Sequence, residues 1–284
     1  MSRAAKGWLI AATALTIAGA MLFVGILAAV GFDFHKLETV KYVTVTHELS
    51  GDFDSIDIEV TKADVELIPT EEKQCRVVCY EPLKTPHSAS VNGKTLNIGM
   101  DDERGWLDYI GISFKSPEIK LYLPKKSYVS FTMRSVTGDV DIPKDFSFEK
   151  LKIKGVTGDV GISSDVSGDI TIGLTTGKVR LNDIKAGGVD ISTTTGDVTL
   201  SNVLAEGRLS VECVTGDVRF DGCDADSVSV NVVTGDITGT LRTGKDFDAN
   251  TTTGKISVPD SVPGGKCKLN TTTGDIRISI EKAE

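Results

Sequence analysis

Apolar and polar residues alternate at every second position in short runs through the C-terminal half of the chain. In residues 197–200, 217–220 and 275–278 the apolar side chains fall on one side of an extended strand, as expected for a strand with one buried face. Val, Ile and Thr dominate these runs, which favours strands over helices. No stretch after residue 40 sustains the i, i+3, i+4 pattern of an amphipathic helix. This half of the chain is therefore predicted to be all-β.

A glycine-containing turn separates these runs at a nearly constant interval. Thr-Gly-Asp, or Thr-Gly-Lys at two turns, recurs every 19 or 20 residues, and a weaker series of glycines lies about halfway between. A fixed period of this kind is typical of repeat proteins. A unit of two short strands cannot bury an apolar face alone, but a stack of such units can. The central glycines of the turns are Gly138, Gly158, Gly177, Gly196, Gly216, Gly235, Gly254 and Gly274.

The predicted fold is a β-solenoid with coils of about 19–20 residues, each hydrogen-bonded to the next at about 4.8 Å. A propeller is less well matched, because its blades need about 40 residues. Residues 131–284 form the regular part. Residues 33–130 are β-rich but less regular, and we expect them to cap the N-terminal end of the same solenoid. Within them, 64–69 and 119–124 resemble the later repeats, and Asn-Gly at 92–93 predicts a hairpin turn.

The N-terminal segment is an unbroken apolar run. Residues 7–32 contain no charged side chain, and as a helix they would span about 39 Å, enough for a hydrocarbon core of about 30 Å with tilt. Arg3 and Lys6 precede the run, so the positive-inside tendency places residues 1–6 in the cytoplasm and the bulk of the chain outside. A signal peptide cleaved near 18–20 is the alternative, but the apolar run continues past that site.

The charge balance narrows the class of partner. The chain has 31 basic residues against 40 acidic ones, a net charge of −9, and the part beyond the anchor carries −11 once Arg3 and Lys6 are left out. This acidity argues against nucleic acid and against electrostatic docking on anionic lipid. It favours cationic partners such as cationic peptides, metal ions or basic surfaces of envelope proteins.

The Thr-Gly-Asp turns allow a structural and a ligand-binding interpretation. Glycine supplies the positive φ of a tight corner, and the following Asp can accept from backbone N–H groups at that corner. The alternative is a carboxylate ladder that binds Ca²⁺. Lys178 and Lys255 replace Asp in two turns, and the known calcium-binding solenoid repeat is denser in glycine, so the structural interpretation is favoured. The ladder would consist of Asp139, Asp159, Asp197, Asp217, Asp236 and Asp275.

Outside the turns, the sequence offers no arrangement of catalytic residues and no cofactor motif. The three His are scattered and the five Cys have no C-x-x-C spacing. Cys213 and Cys223 either pair across a coil or remain small buried thiols. Trp106 and Tyr109 lie in a loop that we expect to project, where they contact a partner or fold back onto the β surface. Lys245, near a half-turn, is expected to be exposed.

The recurrent T-[TV]-T-G-D-[VI] turn resembles the DUF4097 family of bacterial repeat proteins, often labelled adhesins. The segments FDSIDIEVTKADVELIP and KLYLP resemble the family as well, and the resemblance covers roughly residues 40–282. It implies a β-solenoid, often tethered to the membrane of the bacterial envelope, with no catalytic residues. Some relatives are linked to envelope-stress responses.

Together these observations favour a membrane-anchored, extracytoplasmic β-solenoid that acts as a non-catalytic, adhesin-like binding or structural module of the bacterial envelope. Cationic peptides, envelope proteins and wall polymer are the candidate partners. The first alternative is an envelope-stress sensor or regulator that works through membrane protein partners, although a tail of six residues offers little for signalling. A cation-binding Asp ladder is the third hypothesis.

Overall fold

The computed structural model describes residues 2–105 and 113–281. In chain order these contain one α-helix, α1 (Arg3–Ala29), a short 3-10 helix (Phe34–Leu37) and twenty β-strands. The strands are β1 (Tyr42–Leu49), β2 (Ser55–Lys62), β3 (Asp64–Thr70), β4 (Cys75–Pro82), β5 (His87–Asn92), β6 (Thr95–Met100), β7 (Glu118–Pro124), β8 (Ser127–Thr137), β9 (Val140–Ile142), β10 (Ser147–Thr157), β11 (Val160–Ile162), β12 (Asp165–Thr176), β13 (Val179–Thr195), β14 (Val198–Thr215), β15 (Val218–Thr234), β16 (Ile237–Leu241), β17 (Asp246–Thr253), β18 (Ile256–Ser257), β19 (Lys266–Thr273) and β20 (Ile276–Ile280).

Helix α1 is apolar on all sides. Its stretch Ala5–Ala29 has a mean hydropathy of 2.3 and is long and apolar enough to cross a membrane. Large apolar side chains such as Trp8 and Met21 are exposed along it. The Ser2 hydroxyl accepts from the N–H of Ala5 at 3.2 Å and caps the first turn. A helix this apolar is typical of a membrane segment, because water does not solvate such a surface favourably.

The chain divides into two compact units, and helix α1 belongs to the first. The second unit, Val43–Asp102 with Ser116–Glu284, is a long sheet that nearly closes on itself as a barrel-like solenoid. Successive coils pair in parallel: Val160 lies opposite Val179, Val179 opposite Val198, and Val198 opposite Val218. The register steps by 18 residues where Ser147 meets Asp165. One coil length therefore does not describe the whole stack.

The alternating pattern follows from columns of buried side chains inside the coils. Ile172, Ile191, Val211 and Val230 lie opposite one another in adjacent strands, and each is at most 1% exposed. Full burial of an aliphatic side chain contributes about 1.5–3 kcal/mol relative to exposure. Each coil must therefore repeat the same apolar positions to keep its column filled.

At the C-terminal end, the order of coils in space differs from their order in the chain. Strand β19 pairs with β15 on one side and with β17 on the other. Strand β20 likewise lies between β16 and β18. The expectation that each coil bonds to the next one in sequence is therefore wrong here. Turns of nearly identical sequence can stack in chain order or in the exchanged order, so the local sequence does not decide which order forms.

A similar exchange occurs at the N-terminal end. Strand β2 lies between β6 and β8, and β3 lies between β7 and β9. The two fragments that resemble the later repeats, 64–69 and 119–124, are thus direct neighbours in β3 and β7. Strands β4 and β5 pair antiparallel with β7 and β6. The predicted hairpin turn is confirmed, since Asn92 lies opposite Thr95.

The five cysteines are buried free thiols. Cys213 and Cys223 do not pair across the coil, and the thiol of Cys223 donates instead to the carbonyl of Leu200 at 3.1 Å. Burial raises the pKa of Cys75 and Cys267 to about 12. Cys75 and Cys267 therefore pack as small apolar groups.

Lys245 is not exposed, contrary to the expectation from sequence. It is 5% exposed, and its Nζ donates to the carbonyl of Ala225 at 2.7 Å. The same nitrogen lies 2.7 Å from Oδ1 of Asp224. The position of Lys245 near a half-turn predicts exposure, but its ion pair with Asp224 allows the side chain to stay buried.

Candidate binding surface

The Thr-Gly-Asp turns, called corners below, stack directly on one another along the solenoid. All eight corner glycines have φ between 141° and 155°. A Cβ at Gly196 would lie 1.9 Å from the carbonyl oxygen of Gly177. The other seven glycines show the same conflict, at 1.8–2.2 Å from a backbone oxygen of the adjacent coil. Glycine is thus required for close backbone approach as well as for positive φ.

Asp side chains at the corners join one coil to the next. Oδ1 of Asp217 accepts from the N–H of Asp236 at 2.8 Å, and Oδ1 of Asp275 accepts from the N–H of Lys255 at 2.7 Å. The interpretation that Asp caps its own corner is therefore wrong in this detail, because donor and acceptor belong to adjacent coils. The carboxylates that accept in this way are those of Asp64, Asp139, Asp159, Asp197, Asp217, Asp236 and Asp275.

Several corner carboxylates also face cationic side chains of this chain. Arg180 donates to Oδ2 of Asp159 at 3.1 Å, and Nζ of Lys178 lies 3.3 Å from Oδ2 of Asp197. Exposed pairs of this kind contribute about 0–1 kcal/mol each. Within the described ranges, the corner carboxylates do not bring three ligand atoms within 4.8 Å of one another. The calcium ladder stays a prediction.

A groove rich in carboxylates lies beside the first corners, where β3, β7, β9 and β11 come together. It encloses about 430 Å³, and Arg180 is the basic residue among the described residues that line it. Lys120 lies nearby, 3.1 Å from Glu118 and 3.9 Å from Glu66. We call this feature the acidic groove. Its carboxylates are those of Asp64, Glu66, Glu118, Asp139, Asp141 and Asp159.

A second groove, of about 670 Å³, follows β2, β8 and β10. Pairing between β2 and β6 ends at Ile58 and Ile98, although β2 continues to Lys62, so the two strands diverge there. We call this feature the mixed groove, because its lining combines charged and apolar side chains. They include Glu59, Met100, Asp101, Arg134, Val136, Lys154 and Val156.

The repeated corners are those of a known family. Residues 53–284 match the family model described as Toastrack DUF4097. The chain belongs to the DUF4097 family. The resemblance of the Thr-Gly-Asp turns to this family is therefore confirmed over most of the chain.

Several solved structures have a similar fold. A candidate lipid-binding protein of Parabacteroides distasonis has a TM-score of 0.54 at 16% identity, over 85% of this chain and 98% of its own. A candidate adhesin of the same species has a TM-score of 0.51 at 12% identity, over 84% and 98%. A candidate adhesin of Bacteroides fragilis has a TM-score of 0.50 at 15% identity, over 84% and 97%.

These likenesses define the fold of the DUF4097 chain and not its ligand, because fold alone does not determine function. No protein with a curated function matches the chain. The charges and grooves of this chain are therefore the features that indicate a ligand class.

The sequence located the corners of the DUF4097 repeat but neither groove. Asp64 and Asp141 of the acidic groove are separated by 77 positions, and only the pairing of β3 with β9 brings their strands together. The one sequence feature that pointed to this pairing was the similarity of residues 64–69 to the later repeats. Trp106 and Tyr109, the predicted partner contacts, lie outside the described residues. Sequence analysis also missed a buried pair, Glu81 and His87.

Proposed function

We propose that this protein is a membrane-anchored, extracytoplasmic DUF4097 solenoid of the bacterial envelope that binds a basic polypeptide segment in its acidic groove. The function is non-catalytic binding, as in an adhesin. The observation that carries the proposal is the gathering of six carboxylates beside one arginine in a single groove.

The charge of the chain supports a basic ligand. The part beyond the predicted anchor carries −11, so its overall field attracts cations. A groove lined by one sign of charge concentrates this field and raises the rate of encounter with an oppositely charged ligand. The hydrogen-bonded corners hold Asp64, Asp139 and Asp159 in place, so little order is lost when a ligand binds.

Anionic ligands fit this groove poorly. Phosphate-rich wall polymers and anionic lipid headgroups would be repelled by its carboxylates. One fold neighbour is described as lipid-binding, but among the described residues six carboxylates of the acidic groove face only Arg180 in its lining and Lys120 beside it. A lysine- or arginine-rich segment of an envelope protein or peptide matches the surface better.

The anchor supports the location. Helix α1 is long and apolar enough to span a bilayer, and the basic residues that precede its apolar run favour a cytoplasmic N-terminus. The solenoid would then lie outside the cytoplasm, where it meets peptides and envelope proteins. An anchor also confines the protein to the surface on which an adhesin or a structural module acts.

The test measures binding of a lysine-rich peptide to the full chain in detergent micelles by fluorescence anisotropy. We expect saturable binding that weakens as salt is raised. Replacing Asp141→Asn together with Glu118→Gln should weaken binding about tenfold, which corresponds to about 1.4 kcal/mol. The matched control is Asp190→Asn with Glu212→Gln, which removes two exposed carboxylates outside the acidic groove.

Equal weakening by both double variants would contradict the groove as the site. Binding of anionic wall polymer with no binding of the peptide would contradict the ligand class. Affinity capture from the native envelope with the wild-type chain and the groove variant then identifies partners. A membrane protein captured equally by both would favour the regulator hypothesis over the groove.

A further inference from the structure

Three side chains with metal-ligating chemistry meet inside the N-terminal part of the solenoid. Cys79 and Glu81 lie on the inner face of β4, and His87 is the first residue of β5. They are 0%, 1% and 3% exposed. One ligand atom from each, which for His87 is one of its two ring nitrogens, lies within 4.8 Å of the other two. Within 2–105 and 113–281 this is the one group of its kind.

Glu81 fixes the imidazole of His87. Its Oε2 accepts from the backbone N–H of His87 at 2.7 Å and lies 2.7 Å from Nδ1 of the same residue. A carboxylate at this distance favours the tautomer that carries the proton on Nδ1. Nε2 then has a free lone pair. That nitrogen is buried and has no hydrogen-bond partner.

The arrangement matches the way proteins prepare a histidine for a metal ion. A ligating histidine usually donates its other ring N–H to a carboxylate, which orients the ring and makes the free nitrogen more basic. Cysteine thiolate and imidazole are the common ligands of Zn²⁺. A thiolate and a carboxylate would also balance the two positive charges of such an ion, which a buried site requires.

A purely structural role explains less of the geometry. Glu81 and His87 do close the short connection between β4 and β5, in which Thr85 donates its N–H to Pro82 at 3.0 Å. The contacts with Glu81 explain how Nδ1 and the backbone N–H of His87 are satisfied. They do not account for the unpaired Nε2 or for a thiol within the same cluster.

We propose that Cys79, Glu81 and His87 form a binding site for a transition-metal ion of the Zn²⁺ class. In this site the thiolate of Cys79 and the free Nε2 of His87 would bind the ion, Glu81 would position the imidazole, and water would complete the four-coordinate shell that Zn²⁺ prefers. When the ion binds, the Cys79 S–H bond breaks, the sulfur bonds to the metal, and the proton leaves to solvent.

The test titrates Co²⁺, a coloured substitute for Zn²⁺, into the full chain in detergent with its thiols reduced. We expect one ion per chain and a thiolate-to-cobalt charge-transfer band, which zinc then abolishes by displacement. Cys79→Ser should remove the band. Cys75→Ser is the matched control, because Cys75 is a second buried thiol on the same face of β4, and it should leave the band unchanged. Glu81→Gln should weaken affinity about 10- to 100-fold.

Absence of the band in the wild-type protein would overturn the proposal, as would its full retention in Cys79→Ser or its loss in Cys75→Ser. A second measurement needs no variant. In urea concentrations at which alkylating reagent reaches both thiols of the wild-type chain, Zn²⁺ should slow alkylation of Cys79 and not that of Cys75. Equal rates with and without zinc would also overturn the site.

Discussion

Each corner glycine meets two physical requirements, a positive φ and the close approach of the adjacent coil. The period of the Thr-Gly-Asp turns located all eight glycines, and a tight turn accounts for positive φ. The second requirement is the approach of the adjacent coil, which places a backbone oxygen 1.9 Å from the position of a Cβ at Gly196. That contact joins residues of different coils, so a local pattern cannot show it.

The two requirements can be separated by mutation. Gly93 has φ of 61° with no atom within 4 Å of its Cβ position, so Gly93→Ala measures the cost of a left-handed φ without a backbone clash. It should destabilise by about 1–2 kcal/mol. Gly196→Ala adds the clash with Gly177 and should cost more than about 3 kcal/mol. Urea unfolding of both variants measures the difference, and equal costs would contradict the stacking of corners.

The corner carboxylates give a second prediction at this scale. Asp217 accepts from the N–H of Asp236, and an amide oxygen can replace this acceptor. Asp217→Asn should therefore cost less than about 0.5 kcal/mol, whereas Asp217→Ala should cost about 1 kcal/mol, as loss of a helix cap does. Calorimetry in calcium and in chelator provides the control. A calcium-dependent rise of more than about 5 °C in melting temperature, lost in Asp217→Asn, would favour the calcium ladder instead.

At the scale of elements, the alternation of apolar residues predicted strands well but not which strands would pair. Leu269 of β19 lies between Val230 and Ala249, although Val230 and Ala249 are themselves one repeat apart in sequence. Their apolar columns accept either neighbour. The order is therefore set by the packing of the whole end of the solenoid, where β17 has no buried residue and β19 has three.

Hydrogen exchange tests this order. Backbone amides of β19 lie between two strands, whereas those of β17 lie at the end of the stack. We therefore expect β19 to exchange more slowly than β17, although it is closer to the C-terminus, where chains usually fray. Peptide-level mass spectrometry of the labelled full chain measures both. Faster exchange in β19 would instead support stacking in sequence order.

At the scale of the whole molecule, two simple regularities carried most of the prediction. A period of 19–20 residues indicated a solenoid, and an uncharged run of 26 residues indicated a membrane helix. The acidic groove and the cluster of Cys79, Glu81 and His87 could not be predicted from the sequence. Both depend on antiparallel or exchanged strands at the N-terminal end, where the repeat is irregular. Net charge predicted a cationic class of partner but could not place a site for it.

The anchor yields the last prediction. Cleavage by signal peptidase near residues 18–20 would cut α1 in its middle, since the helix continues to Ala29. We therefore expect mature protein to keep its N-terminus, to stay with membranes during an alkaline wash, and to become soluble only when residues 1–32 are deleted. A C-terminal tag should be accessible to antibody outside intact spheroplasts, and an N-terminal tag should not. An N-terminal sequence that starts near residue 21 in the membrane fraction would contradict the anchor, because the remaining apolar stretch is too short to span the bilayer.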